Sequence, residues 1–371
     1  MRTVVLGGYG NFGARIVRRL AARSKETGIA LIAAGRNPER GHTACGFDAS
    51  IGKARLDIWD PDFPKALKAL KPQLVIHCVG PFQGQDYRVA EACLAAESNY
   101  LDLADGRAFV SGFEERFRGE GLEWGLVMAS GASTLPALSA AVVDELSDRL
   151  ITMDEIEISI APAQRSPRGV ATLKAVFSYL GRPFDWYVDG KWTKAIGWQE
   201  LKRIRFKNLG TRWAAACEVP DLDFPKLRYS KVRTVTFRAS LEFGFQHFVL
   251  VGLAGLRRAS LPIPMEALAG PFEHLATFLG RWGGPYSGML VAVTGKDADG
   301  QLKRLEWHLT AGWKQGPEIP CLPAILLAEQ LAQGKNIRKG GDACIGYLEL
   351  KNFGPEFERL GIRTQVLETT P

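Results

Sequence analysis

Three glycines stand close together near the start of the chain, in Gly8-Tyr9-Gly10-Asn11-Phe12-Gly13. In a dinucleotide-binding turn the first glycine makes the tight bend out of a strand and the second lets the backbone approach a pyrophosphate. The third lets the following helix pack closely, and the helix N-terminus offers N–H groups and a positive dipole end to the phosphates. The spacing alone is weak in a chain with 40 glycines among 371 residues, so its context decides. Val4-Val5-Leu6 precedes it as a strand and Ala14 to Ala22 follows as a helix, the order that this chemistry requires.

A second position selects between cofactors. Proteins that bind NAD usually end the second strand on an acidic residue that takes the ribose hydroxyls, whereas this chain has Gly35-Arg36-Asn37 there. A carboxylate would repel a 2′-phosphate and a guanidinium pairs with it, so NADP is the expected cofactor, with Arg36 weighed against an ordinary surface arginine. Arg40 is a further phosphate contact. Asp57 after the third strand and Val79-Gly80-Pro81-Phe82 after the fourth complete the expected cofactor-binding set. Hydride transfer then needs the nicotinamide held near the reacting carbon, water kept out, and one group to handle a proton. Asp102 and Asp105, ending the fifth strand, and Cys78, beside the Gly-Pro-Phe turn, are the catalytic candidates. Turn or helix capping is the plain alternative for the aspartates, and packing is the alternative for the thiol. His77 reads as a satisfied core histidine. Ser130 and Ser133 read as helix caps or substrate contacts, and Arg165 and Arg168 as carboxylate clamps.

Strands and helices must alternate to place these groups on one edge. Strands are expected at Thr3–Leu6, Ala30–Ala34, Arg55–Ile58, Gln73–Val79, Tyr100–Ala104 and Glu123–Met128, with helices between them over 12–23, 63–70, 86–97 and 108–119. Spacings of this length are what βα units of a parallel sheet require. In such a doubly wound sheet, ligands sit outside the carboxyl ends of the strands. Beyond residue 150 the pattern turns to Trp-, Phe-, Val- and Thr-rich strands, at 185–193, 232–242, 287–295 and 302–311. Helices are expected at 134–147, 168–181, 245–258, 264–282, 324–333 and near 354–360, the last closing the chain together with Tyr347–Leu350. The expected architecture is an α/β Rossmann domain over 1–133, an α+β mixed-sheet substrate or dimerisation domain over 134–312, and a C-terminal segment, 313–371, that packs back on the first domain.

Composition bounds the partners. No stretch reaches the ~18 apolar residues of a membrane span, and the first strand begins too early for a signal peptide. Six cysteines without a CxxC pair and five scattered histidines give no metal spacing, so reduced thiols, no metal and a cytoplasmic location are expected. The net charge of +7 concentrates between Arg165 and Arg238, where 16 basic residues face 6 acidic ones. With no nucleic-acid-reading signature in the chain, that excess reads as a solvated face or as a match for an anionic small molecule. Phe245 to Leu256, followed by Arg257-Arg258, is too short to span a membrane. Core or homodimer packing is its first reading, with contact to a lipid surface or a lining for an apolar substrate beside it.

Taken together, the motifs resemble the saccharopine dehydrogenase-like family, in its NADP-binding, saccharopine reductase-type branch. The resemblance rests on the glycine loop, on Cys78-Val79-Gly80-Pro81-Phe82 and on Tyr100-Leu101-Asp102-Leu103-Ala104-Asp105. It extends over Tyr179-Leu180-Gly181-Arg182-Pro183, Asp189-Gly190-Lys191-Trp192, Gly316-Pro317-Glu318-Ile319-Pro320 and Gly340-Gly341-Asp342-Ala343-Cys344-Ile345-Gly346. It implies a Rossmann domain followed by an inserted mixed-sheet domain, a returning C-terminal segment, and hydride chemistry with a nicotinamide cofactor. The expected function is therefore an NADP(H)-dependent oxidoreductase on a small polar, amino-acid or imine-like substrate. The alternatives are an enoyl-type reductase on a lipid precursor and a non-catalytic NADP-binding protein.

Overall fold

The computed structural model describes residues 1–167, 170–260 and 265–369, so Arg168 lies outside the described residues. The chain divides into two compact units, Met1–Leu138 with Glu318–Leu348, and Ser139–Pro317 with Glu349–Pro371.

In the first unit, strands β1 (Arg2–Leu6), β2 (Ala30–Gly35), β3 (Gly52–Arg55), β4 (Leu74–His77), β5 (Asn99–Asp102), β6 (Val127–Ser130) and β7 (Gly340–Ala343) form one sheet. Their order is β7-β6-β5-β4-β1-β2-β3, and every pairing is parallel. β1, β4 and β6 are apolar and buried nearly throughout, as strands covered on both faces must be. The chain leaves β1 for β2 on one side and returns to β4 on the other, so the order reverses between β1 and β4. That is where such sheets bind ligands.

Several elements differ from the sequence expectation. The third strand lies earlier, at Gly52–Arg55, because its register on β2 runs from Ile32↔Gly52 to Gly35↔Arg55; Asp57 therefore sits in the turn beyond it. The helix Phe113–Glu123 runs into the expected sixth strand and stops at Gly125, which takes φ +63°. The closing helix starts earlier than expected, at Leu350, where a capping box of Glu349 and Asn352 sets its N-terminus. Gly340–Ala343 adds a strand that the sequence did not mark.

The second unit is built on a nine-stranded mixed sheet. Its central pair, Glu155–Ala161 and Thr234–Ser240, is parallel, whereas Tyr286–Lys296 and Leu302–Gly312 extend it in antiparallel fashion. Lys202–Phe206 and Gly210–Ala216 form a hairpin at one end. Only part of the C-terminal segment joins the first unit. Residues 349–371 belong to the second, where Arg363–Thr369 pairs along Leu302–Gly312 and covers what would otherwise be an open strand edge. The helix Gly244–Arg258 buries Leu250 and Ala254 but leaves Phe245, Phe248, Val249 and Leu256 exposed.

Candidate nucleotide-binding edge

At the carboxyl end of β1 the loop from Gly7 to Phe12 is shaped by approaches that only glycine permits. Gly7 takes φ +73°, and its carbonyl accepts a hydrogen bond from the Gly10 N–H at 2.8 Å. A Cβ on Gly13 would stand 2.2 Å from the Gly7 oxygen, so the first turn of helix α1 (Gly13–Ala22) lies directly on the loop. Gly8 is similarly close to the Val5 carbonyl, and the Gly8 N–H bonds Ala34 O across to β2. Gly7, which the sequence spacing passed over, therefore makes the bend; the doubled Gly7-Gly8 was its only signal. Phe12 stands at the N-cap of α1 without a side-chain cap, and no acidic residue occupies the first helical turn. A dipole end left bare in this way suits an anion. Behind it, ion pairs from Arg15 to Glu318 and from Arg23 to Glu329 tie α1 to the segment Glu318–Ala332, and the Cys321 thiol points to Phe12 O.

Tyr9 closes the side towards β2. Its hydroxyl donates to Ala33 O at 2.8 Å, and its ring lies so close to Gly35 and Gly41 that a Cβ on either would meet it. Burial pushes the Tyr9 phenol up to about 12, so it stays a neutral donor. One residue past β2, Arg36 and Asn37 are exposed, as is Arg40. The Asp57 carboxylate accepts the Trp59 N–H at 3.1 Å, which makes it a turn cap in this structure.

The turn after β4 packs against the loop. A Cβ on Gly7 would meet the Val79 side chain and the Cys78 carbonyl. Its shape is held by Gln85, whose amide donates to Val79 O at 2.8 Å and to Pro81 O at 2.6 Å. Buried His77 lies 3.4 Å from the Gln85 oxygen through Nε2 and takes the Val79 N–H on Nδ1. Burial lowers its pKa to about 4, so the ring is neutral, matching the structural reading of His77. Nothing in the sequence marked Gln85 for this role.

The turn after β5 meets the turn after β4 from the other side, because a Cβ on Gly106 would lie 3.1 Å from the Phe82 backbone. The half-buried Asp105 accepts from the Gln83 amide at 3.2 Å, and burial raises its pKa. Asp102 is fully buried. One of its oxygens accepts the Ala104 N–H at 2.9 Å and the Gly131 N–H at 2.7 Å, pinning the turn after β6. Burial nevertheless pushes its pKa up to about 6. Cys78 is half-buried, with its thiol pushed well above the ordinary range by burial and then by Asp102. Ser130 and Ser133 are buried within the turn that Asp102 holds. The turns carrying the glycine loop, Val79–Phe82 and Asp102–Asp105 thus share one edge of the first unit. Arg165 is exposed in the second unit. Among the described residues no group of three or more His, Cys, Asp or Glu is placed to hold a metal ion, and no helix is long and apolar enough to cross a membrane.

Known proteins resemble this chain in sequence and in fold. Residues 3–144 match the family model of the saccharopine dehydrogenase NADP-binding domain. A probable mitochondrial saccharopine dehydrogenase-like oxidoreductase from Arabidopsis thaliana is 30% identical over 147 residues, which cover 36% of this chain and 32% of the relative. The match therefore spans about a third of that relative's length. Apo saccharopine dehydrogenase (L-Glu forming) from Saccharomyces cerevisiae superposes with a TM-score of 0.70 at 12% identity over 100% of both chains. The homospermidine synthase of Legionella pneumophila, in complex with NAD, gives 0.63 at 9% identity over 99% of this chain and 91% of that one. At such identities the two structures speak for the fold alone.

Proposed function

We propose, on the premise that the chain belongs to the saccharopine dehydrogenase-like family, that it is an NADP(H)-dependent oxidoreductase moving a hydride to or from a small polar substrate of amino-acid or imine type. Support for NADP over NAD comes from one observation above all. Arg36 is exposed one residue beyond β2, with no carboxylate partner among the described residues. The residues present fit a dinucleotide: α1 approaches the glycine loop so closely that Gly13 admits no Cβ, and the uncapped start of α1 faces the same edge. Gly8, Gly10, Asn11, Phe12 and Gly13 would hold the pyrophosphate, Tyr9 would wall the adenosine side, and Arg36 and Asn37 would take the 2′-phosphate. Asp57 would lie at the ribose side, with Val79, Gly80, Pro81 and Phe82 beside the nicotinamide ribose. Bound there, the nicotinamide supplies hydride donor and acceptor chemistry.

The chain's own contribution is positioning and one proton. Asp105, half-buried with a raised pKa and steadied by Gln83, is assigned the proton-handling role. Asp102 acts through the turns that it bonds, and Cys78 contributes as an uncharged thiol beside them. The second unit is assigned the substrate-side and dimerisation roles.

The test is a titration of the purified chain with NADPH and NADH. A charge-assisted contact to the 2′-phosphate should make NADPH bind at least about tenfold tighter, with the gap narrowing as salt rises. Arg36→Ala should erase most of that gap and leave NADH affinity nearly unchanged. Equal affinities in the wild type would reduce Arg36 to a surface residue and end the NADP assignment.

A further inference from the structure

The helix Gly244–Arg258 is built inside out. Its buried face carries Gln246, 1% exposed, and His247, fully buried, and neither side chain finds a hydrogen-bond partner among the described residues. Its water-facing side carries Phe245, Phe248, Val249 and Leu256, each exposed over roughly half its surface. A helix folding only to satisfy water would turn the other way, with the amide and imidazole outward and the phenylalanines inward. The exposed side also holds Gly252 and Gly255, whose missing side chains would meet nothing, so no element among the described residues covers it there.

The exposure continues beyond this helix. Trp213 lies with its ring centroid 6.0 Å from that of Phe248, and Arg203 stands over the same tryptophan. The helix Ala269–Leu279 exposes Leu275 and Phe278, and Trp282 beyond it is 62% exposed with its ring against Phe278. The second helix packs on the helix Val170–Tyr179, and the first reaches the C-terminal end of that helix through Arg257. Arg257 of the first donates to Phe177 O and Leu180 O at its end, and Phe272 of the second meets the Phe177 ring. Exposed cations accompany the exposed aromatics: Arg203 at Trp213, Arg281 at Phe278, and Arg258 at the helix end. Residues 244–260 contain no acidic residue, and the nearby Glu242 is engaged by the Gln164 and Gly284 N–H groups.

We infer that this face of the second unit docks on an anionic lipid surface, with the phenylalanines and tryptophans entering the headgroup boundary and the arginines pairing with lipid phosphates. Aromatic, apolar side chains rimmed by cations are the composition of interfacial helices. Charge complementarity selects this occupant over a second copy of the chain, which would bring one basic surface against another. Exposure of this extent is otherwise an aggregation liability for a protein in water.

The test is co-sedimentation of the full chain with vesicles of phosphatidylcholine, with and without phosphatidylglycerol. The expected result is binding to the anionic vesicles that weakens on neutral ones and in high salt. Phe245→Asp with Phe248→Asp should lower the partition coefficient at least about tenfold, because two inserted aromatics are lost and two charges gained. The exposed positions should leave the circular dichroism and NADPH affinity unchanged, which separates this result from the cofactor proposal. Arg258→Glu should cost roughly fivefold or more on anionic vesicles only. Absence of wild-type binding to either vesicle type overturns the inference. So does sedimentation velocity that gives a dimer dissociated by the same aspartates in a chain that ignores vesicles.

Discussion

Gly13 has the least freedom of any residue in the glycine loop. Its neighbour at 2.2 Å is a backbone carbonyl, Gly7 O, which cannot swing away as a flexible side chain would. Gly13→Ala must therefore push α1 off the loop or open the Gly7 turn, and either change disturbs the N-terminus proposed to face the pyrophosphate. The expected cost is ~1–3 kcal/mol of stability, on the scale of overpacked interiors, together with loss of measurable NADPH binding. Urea unfolding and calorimetry check the two effects separately, and an alanine variant with wild-type stability would mean that the loop is looser than this geometry. Gly10 differs in degree: a Cβ there would come to 3.2 Å from the same carbonyl, so Gly10→Ala should cost less stability than Gly13→Ala and reveal itself mainly in cofactor affinity. The sequence motif treated three glycines as equals. The structure ranks them and adds Gly7.

The helix Phe113–Glu123 makes the same point for an element. Gly119 and Gly121 are two residues apart on one helix, both costly to helix propensity. A Cβ at Gly119 meets nothing, whereas at Gly121 it would lie 2.8 Å from the backbone of Gly340 in β7. Gly119→Ala should thus stabilise the protein by ~0.5–1 kcal/mol, and Gly121→Ala should destabilise it by ~1–3 kcal/mol. Thermal or urea denaturation of the pair checks this, and equal shifts would contradict the packing of β7 on this helix. The contact also explains what the sequence left illegible. Gly340-Gly341-Asp342-Ala343 has no strand propensity, and it is a strand because the helix presses on it: a Cβ at Gly341 would stand 2.3 Å from Phe117 Cβ. By contrast β1, β2 and β4 were readable as apolar runs closed by glycine, and with them came the edge that gathers the Gly8, Gly80 and Asp102 turns. The basic hairpin Lys202–Phe206 and Gly210–Ala216 was missed because alternating arginines and lysines hide its apolar positions, Ile204 and Phe206. Gln85 was illegible for another reason, since its role exists only once the turn it bonds has formed.

At the scale of the whole molecule, Glu306 and Asp102 sit in opposite electrostatic settings, and pH should separate them. In the second unit the buried Glu157 is bonded by Lys202 Nζ at 2.7 Å and Arg304 Nη2 at 2.8 Å. Arg304 in turn bonds Glu306, whose other oxygen lies 3.2 Å from His308 Nε2. His308 first, and then Arg304, hold the Glu306 pKa down at about 2. A depressed carboxylate contributes stability that is present above its ordinary value near 4 and is lost as pH falls towards about 2. In the first unit Asp102 is raised to about 6 by burial that its backbone donors do not fully offset. The sign is then reversed. The native state holds a proton that the unfolded chain has released, so stability falls as pH rises from about 4 through about 6 and is level above that. Urea unfolding as a function of pH should therefore lose stability on acidification through the lower window and also on the rise through the upper one, leaving a maximum near pH 4 for these two groups. Asp102→Asn should shrink the decline in the upper window, to which the raised Asp105 and Asp221 also contribute, because an amide keeps the acceptor for Gly131 and Ala104 and never ionises. Glu306→Gln should shrink only the lower one, where the depressed Glu157 remains. If Asp102→Asn instead leaves the decline between pH 4 and 6 intact, the Asp102 carboxyl is solvated or paired, and its burial among the turns of the nucleotide-binding edge is wrong.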